Sequence, residues 1–509
     1  MAECKGETLE TDTCGTFSES QRGDPGNVAA SLGSHKGGDL GEGEGGDGCE
    51  CGYDFSYLPE PVWVKVMEYL HLSDQYHISV TCRVLYDVFN HPSNWKSARL
   101  EVVGGEHNFK LMKSFMADRF RIIVEKFGHY FQHLTVTVQG HLVAMEDSVR
   151  NIVTQLSDVC RLEHLVLEVG MLTSDFHLAG LRPVRQDLHN ILLLVTKAFR
   201  LKKLEVVSWP MYPELFEKAD MNVFEAMKAN AKLAGLQWLS LFWMKNKQWS
   251  QRSPLLPSPT YTKGLVAHFT SLQHLALRSP MLSDELLKEL AAPSRCRLLS
   301  LRVLLQYSAG VNAYDQLPDL LAASWLSLRE RSPALEVEFA VMSRIPDMVL
   351  EAMLMSEVPL TTFRVLKYAR CSPALLITLS ERYRPTLRSF LCYSDPMDCG
   401  EALVRLAERC TGLDTLVFHG TVHCTALLTI TLSRPHWKEF EFEEKCIVTE
   451  PEDDEFDEDT VIGRSNHGDL VQVRLVRFHG HQSETEREQQ LNALKAEVSQ
   501  RMDHAWRPL

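Results

Sequence analysis

A chain of 509 residues is too long for one compact core, so it should divide into domains or run as a repeat array. Hydrophobic residues make up 45% of it, ample for burial, while a formal net charge of −14 without any dense Lys/Arg run excludes broad nucleic-acid or anionic-membrane binding. The 13 cysteines are scattered and mostly apolar in context, as at Val80–Cys82 and Leu391–Cys392, which excludes a disulfide framework and points to reduced thiols.

Residues 1–52 are rich in Gly, Ser, Glu and Asp and end in the Gly/acidic run Gly41–Gly48. Such a segment cannot bury enough apolar surface to offset its ordering entropy, so a disordered tail is expected. Met1–Glu10 has neither the basic nor the apolar stretch of a secretory leader. Cys49-Glu50-Cys51 lacks the second pair that a structural zinc site needs, and no metal is expected there.

Order should begin at Tyr53. Leu58-Pro59-Glu60 opens a helix, with Pro59 placed in its first turn, and Val62, Val66, Met67 and Leu70 form its apolar stripe. His71–Asp74 breaks it, with Ser73 the expected cap of a second helix. That helix carries Tyr76–Cys82 with Ile78 and Val80, a third spans Val84–Phe89, and Asn90-His91-Pro92 and Trp95 close the group. Three helices this short make too small a core to be stable alone, so the module, residues 53–99, should use a partner to finish burying its apolar surface.

From residue 100 to 480 the rhythm changes to apolar-x-x-apolar-x-apolar, usually after a stretch of helical periodicity. It runs from Phe131/Leu134/Val136 and Leu162/Leu165/Leu167 through Leu272/Leu275/Leu277 and Leu413/Leu416/Phe418 to Trp437/Phe440/Phe442 and Leu470/Val473/Leu475. Amphipathic helices are expected around Val149–Leu156, Leu188–Phe199, Leu286–Leu290, Leu375–Leu379 and Ala402–Ala407. A strand and a helix per unit, repeated about twelve times at irregular steps, is the signature of a solenoid. A doubly wound sheet would alternate in the same way, but no Gly-rich phosphate loop follows the first strand. The fold class expected is therefore α/β: a small three-helix module, then a divergent leucine-rich-repeat-like solenoid with an acidic insertion at 449–461, then a polar helix and tail at 481–509.

Candidate chemistry is sparse. His419, His423 and Cys424 could pair a thiol with an imidazole or hold zinc, yet they enter an apolar helix, Ala426–Leu432, and read better as core or loop residues. His479 and His481 have no distant partner at metal spacing. Ser253-Pro254 and Ser258-Pro259 fall in a Pro-rich stretch, Gln251–Thr260, expected to be an exposed loop. The acidic run Glu450–Asp459 reads as a solvated loop or as a contact for a basic client. No metal, cofactor or catalytic residue is expected. The longest apolar run considered for a membrane span, Ile191–Val195, is bounded by His189 and Lys197 and is too short to cross a bilayer.

The segment LPEPVWVKVMEYL, followed by HLSDQYHISVTCRVLYDVFNHPSNW, resembles an F-box, with Thr81-Cys82-Arg83 in the place of the family's Val-Cys-Arg. Leu85 stands where the family often has Trp, which keeps the position apolar. With the repeats behind it, the chain is similar to F-box/leucine-rich-repeat proteins. That resemblance implies a non-catalytic substrate receptor of a cullin–RING ubiquitin ligase, in which the F-box docks Skp1 and the repeats hold a protein client. Carried over by position, Leu58, Pro59, Val62, Val66, Met67, Leu70, Ile78, Val80, Cys82 and Trp95 would form the docking core or its partner face. The client and its contact residues are unknown. The location implied is cytoplasm and/or nucleus. The competing reading is a repeat scaffold without a cullin-dependent role.

Overall fold

The structure, a computed structural model, describes residues 58–103, 121–139, 147–169, 181–209, 221–243, 256–307, 318, 320–394, 398–433, 436–448, 460–464, 470–474, 484–502 and 508, residue 71 excepted. The N-terminal tail with Cys49 and Cys51, Ser253-Pro254, the acidic run 450–459, and His479 and His481 lie outside the described residues.

Three short helices come first: α1 (Glu60–Met67), α2 (Leu72–Ser79) and α3 (Arg83–Asn90), then a 3₁₀ turn at Pro92–Trp95. Beyond them lies one 12-stranded sheet in the order β1-β2-β3-β4-β5-β6-β7-β8-β9-β10-β11-β13. Its first half comprises β1 (Ser97–Val103), β2 (His133–Gln139), β3 (His164–Val169), β4 (Lys203–Ser208), β5 (Trp238–Leu241) and β6 (His274–Arg278). Its second half comprises β7 (Ser300–Leu305), β8 (Glu336–Val341), β9 (Leu360–Val365), β10 (Ser389–Cys392), β11 (Thr415–Phe418) and β13 (Glu439–Phe442), while β12 (Val422–His423) and β14 (Ile447–Val448) pair in a small sheet of their own. Every pairing in this sheet is parallel.

Strand order equal to chain order decides between the two α/β readings. A doubly wound sheet must reverse direction at a switch point, and this one does not. With right-handed crossovers always stepping the same way, the described helices fall on one face of the sheet, and among the described residues the other face carries none. The connecting helices are α4 (Asp147–Val159), α5 (Leu181–Thr196), α6 (Val223–Ala229), α7 (Pro259–Ala267), α8 (Asp284–Leu290), α9 (Ala322–Arg331), α10 (Asp347–Met353), α11 (Pro373–Arg382), α12 (Gly400–Arg409) and α13 (Cys424–Ser433). They pack in the same succession, α4 on α5 through to α8 on α9, and α10 on α11 through to α12 on α13. This architecture is compatible with a repeat solenoid.

The repeated apolar signature is the core. Register aligns Leu134, Leu165, Leu204, Leu239, Leu275, Leu301 and Val337 side by side across neighbouring strands, and each is essentially fully buried. A second row two residues on, Val136, Leu167, Val206, Leu241, Leu277 and Val303, is buried as completely. Alternation along each strand sends the intervening residues to the helix-free face.

A device not legible from periodicity links successive units. Helix C-termini leave carbonyls short of intrahelical donors, and here side chains from the following unit donate to carbonyls at and just past those ends. Asn230 Nδ2 donates to Val195 O and Ala198 O at 2.8 and 2.6 Å. Arg295 donates to Val266 O and Phe269 O at 3.0 and 2.8 Å, and Arg382 to Glu351 O and Leu354 O at 2.9 and 2.6 Å.

Two expectations at the ends of the array need correction. The strand β1 was not among the expected repeats, although Trp95, Ala98 and Leu100 carry the same spacing as Phe131, Leu134 and Val136. Conversely, residues 470–474 do not extend the array: β16 (Leu470–Arg474) pairs antiparallel with β15 (Thr460–Arg464) in a separate two-stranded sheet. The last described helix, α14 (Glu484–Met502), is polar in composition, yet Leu491, Leu494, Val498 and Met502 are buried against the end of the array, where α14 packs on α13. It covers an apolar end that no further unit closes among the described residues.

Candidate docking surface

The helical module has its own core of Val64, Met67 and Val88, with Trp63, Leu70, Ile78 and Leu85 packed around it. Pro59 lies just ahead of α1 and its carbonyl accepts from Val62 N at 2.9 Å, while Pro61 takes the first-turn position that costs no hydrogen bond. The end of α1 is closed by Gln75 Nε2, which donates to Met67 O and Leu70 O at 2.7 and 3.1 Å. Ser73 is inside α2, which starts at Leu72, and does not precede it as a cap would. Cys82 precedes α3 in extended conformation.

The residues expected to form the docking core divide into two sets. Met67 is fully buried, and Leu70 and Ile78 are half-buried against the same cluster. Pro59, Val62, Val66, Val80 and Cys82 are exposed, and Leu58 is half-buried. The stripe of α1 is therefore two stripes. Val64 and Met67 face inward, whereas Val62, Val66 and Tyr69, at helical spacing on the other side, are 42%, 37% and 79% exposed. Tyr76, Val80, Val84 and Tyr86, outside the expected set except for Val80, extend the exposed apolar inventory to α2 and α3. The two tyrosines of this group next to helical polar residues gave no sequence signal beyond an aromatic at a surface position.

Trp95 belongs elsewhere. It is 4% exposed and sits in the core of the sheet array. Its indole stacks on Phe127 at 4.0 Å between centroids and 3° between planes, and Phe89 meets it edge-on at 5.1 Å. Its Nε1 donates to Phe89 O at 2.8 Å. Lys126 Nζ reaches Asn90 Oδ1 at 2.6 Å, and Gln132 N and His133 N both donate to Lys96 O. The module thus joins the first unit of the array through a packed, hydrogen-bonded seam.

The remaining candidate chemistry disperses. His419 Nε2 lies 2.7 Å from Glu441 Oε1, and His423 Nε2 lies 3.8 Å from Asp398 Oδ2, so the two imidazoles engage different carboxylates. Cys424 begins α13, partly buried. Ser258, expected in a loop, instead caps α7 by accepting from Tyr261 N at 3.2 Å, with Pro259 following in the first turn. Among the described residues, no group of three His, Cys, Asp or Glu side chains is arranged to hold a metal ion, and no helix is long and apolar enough to cross a membrane.

The family model for F-box-like domains matches residues 55–101, which encloses the three helices, their exposed apolar residues and the start of β1. The chain thus carries an F-box-like domain ahead of a long parallel sheet. No curated protein gives a match to the chain.

Proposed function

We propose that this protein is the substrate-recognition subunit of an SCF (Skp1–cullin–F-box) E3 ubiquitin ligase, docking Skp1 through residues 58–90 and holding a protein client on the sheet array. The observation that carries the reading is the exposed apolar stripe Val62, Val66 and Tyr69 on a helical module whose own core holds three buried residues. Such a surface is suited to a partner that completes the burial. The F-box-like match over the same residues supports Skp1 as that partner.

In this reading the strand–helix units are divergent leucine-rich repeats, and the chain makes and breaks no bond itself. Its contribution to rate is proximity, because a tethered client meets the recruited ubiquitin-charged enzyme at high effective concentration. The seam at Trp95, Phe89 and Phe127 serves that role by fixing the array to the docking module. Placement in cytoplasm or nucleus, where reduced thiols persist, belongs to the same proposal.

The test is a pull-down of the full chain with purified Skp1 and cullin, comparing wild type with Leu58→Ala/Pro59→Ala and with Val62→Glu/Val66→Glu. Both variants change residues outside the buried core and should keep the native circular dichroism. Skp1 and cullin retained by wild type, and Skp1 weakened at least about tenfold by the glutamates, is the expected result, since a carboxylate then sits at a desolvated contact. Skp1 captured without cullin would favour a plain scaffold. A well-folded wild type that captures neither sinks the ligase reading.

A further inference from the structure

Positive charge gathers beside the first units of the array on a chain of formal net charge −14. Lys96, His129, Arg161 and Arg200 line an open concavity of about 190 Å³ beside the turns that lead into β1, β3 and β4. Among the described residues, Lys96, Arg161 and Arg200 form no ion pair within 4 Å, although Arg200 lies 5.5 Å from the Phe199 ring centre and also acts on Glu163 across the concavity. The carboxylate on the same wall, Glu163, is already engaged by Lys202 at 2.9 Å, and that hydrogen bond holds it below the usual carboxylate range.

From this rim an outward row crosses the helix-free face. Register sets His133 beside His164, His164 beside Lys203, Lys203 beside Trp238 and Trp238 beside His274. The His133 and His164 rings lie 5.7 Å apart, Lys203 Nζ lies 4.5 Å from the Trp238 ring centre, and Trp238 stacks on His274 at 4.6 Å. Glu205 in the next outward row takes His164 at 3.0 Å and Lys203 at 2.9 Å, so its charge too is offset within the face. A cationic cup thus opens onto a strip of rings that gives a bound chain apolar contact without a demand for particular side chains.

We propose that this cup and strip bind an acidic, extended segment of the protein client, with its carboxylates among Lys96, Arg161 and Arg200 and the rest of the segment along the His133–His274 row. The inference rests on the client-holding reading above and gives it a location and a chemistry. Single-stranded RNA could also use cations beside rings. The acidic peptide is favoured because a nucleic-acid backbone carries charge along its whole length past an acidic protein, whereas a peptide concentrates it at the cup.

Fluorescence polarisation on the full chain tests this with three labelled probes: a peptide rich in Asp and Glu, its Asn/Gln counterpart, and an oligouridine of matched charge. Wild type should bind the acidic peptide in a salt-sensitive manner and bind the other two far more weakly. Arg161→Ala/Arg200→Ala, which alters two exposed side chains, should weaken the acidic peptide at least about tenfold through loss of charge-assisted hydrogen bonds. Wild type that does not bind the acidic peptide, equal binding of the amide counterpart, tighter binding of the RNA, or an unchanged double variant each overturns the proposal. The same variant goes through the Skp1 pull-down. Skp1 retained while peptide is lost supports a client site. Skp1 lost while peptide still binds assigns the cup to docking and overturns the inference. Failure of wild type to capture Skp1 removes the ligase reading alone and leaves the peptide measurement to decide this one.

Discussion

The helical module and the sheet array solve the burial problem in opposite ways. In the array each unit covers its neighbour, so the apolar rows through Leu165 and Leu275 are sealed on both sides and only the ends need closing. The module has no repeating neighbour. Its buried set is Val64, Met67 and Val88, and Val62, Val66, Tyr69, Tyr76, Val80, Val84 and Tyr86 remain outside. The difference teaches that exposed apolar area means different things in the two regions. In the array an exposed Leu432 or Met348 is a scattered surface residue. In the module the exposed residues outnumber the buried ones, and a partner that covered them would add to its stability.

The seam between the regions offers the sharpest way to break the contrast. Trp95→Ala removes a buried indole that packs on Phe127 and Phe89 and leaves Phe89 O without its donor. The expected loss is about 3–5 kcal/mol, the usual range for deleting a buried aromatic. It should be local, because stability in a repeat array is held in neighbouring units. Hydrogen exchange should show β1 and α3 losing protection while β9 to β11 keep theirs. Uniform loss of protection would mean that module and array fold as a single cooperative body.

Trp95 also shows what was legible in the sequence and what was not. The apolar-x-x-apolar-x-apolar rhythm revealed the array because each unit must fill the same space between strand and helix. It did not reveal β1, whose opening apolar residue is Trp95 and whose middle one is only Ala98, so the unit read as the end of the module. The same rhythm at Leu470 and Val473 misled, because alternation marks a half-buried strand and is silent on its neighbour, here an antiparallel partner. The helix face of α1 failed for a related reason. Apolar residues on two sides of a short helix satisfy several stripes, and tertiary packing chose Val64 and Met67.

A second break acts within the array. Arg295 is 4% exposed, and it donates to Val266 O and Phe269 O and pairs with Glu289 at 3.2 Å. Arg295→Ala removes the second donor of two carbonyls that keep Phe269 N and Leu272 N, and it leaves a partly buried carboxylate contact unmade, for an expected cost of about 1–3 kcal/mol. Arg295→Met keeps most of the stem's packing and separates the two contributions. Chemical denaturation of both variants measures the loss. Equal stability of Arg295→Ala and wild type would show that the backbone donors suffice for these carbonyls and that the link between units is incidental.

The smallest expected effect lies on the helix-free face and sharpens the contrast from the array's side. Burial holds the His274 imidazole below its usual range, and Arg302 and Lys203 push in the same direction. His133 is lowered likewise, first by burial and then by His164. Both rings are therefore neutral near pH 7, and they present uncharged aromatic surface there in the row that Lys203 shares. The unfolded chain binds protons at these sites more readily than the folded one. The stability they lend is thus present above about 6.5, the unfolded value, and is lost as pH falls through the lower folded values. NMR titration should place His274 below 6.5, and Arg302→Ala should move it upward by removing a nearby cation. A titration at the ordinary value in wild type would mean that the ring is solvated and that Trp238 and His274 do not stack in solution. A strip of loose rings would then lie where a preformed surface is expected, and the ordering cost of binding would rest on the client segment and the face together.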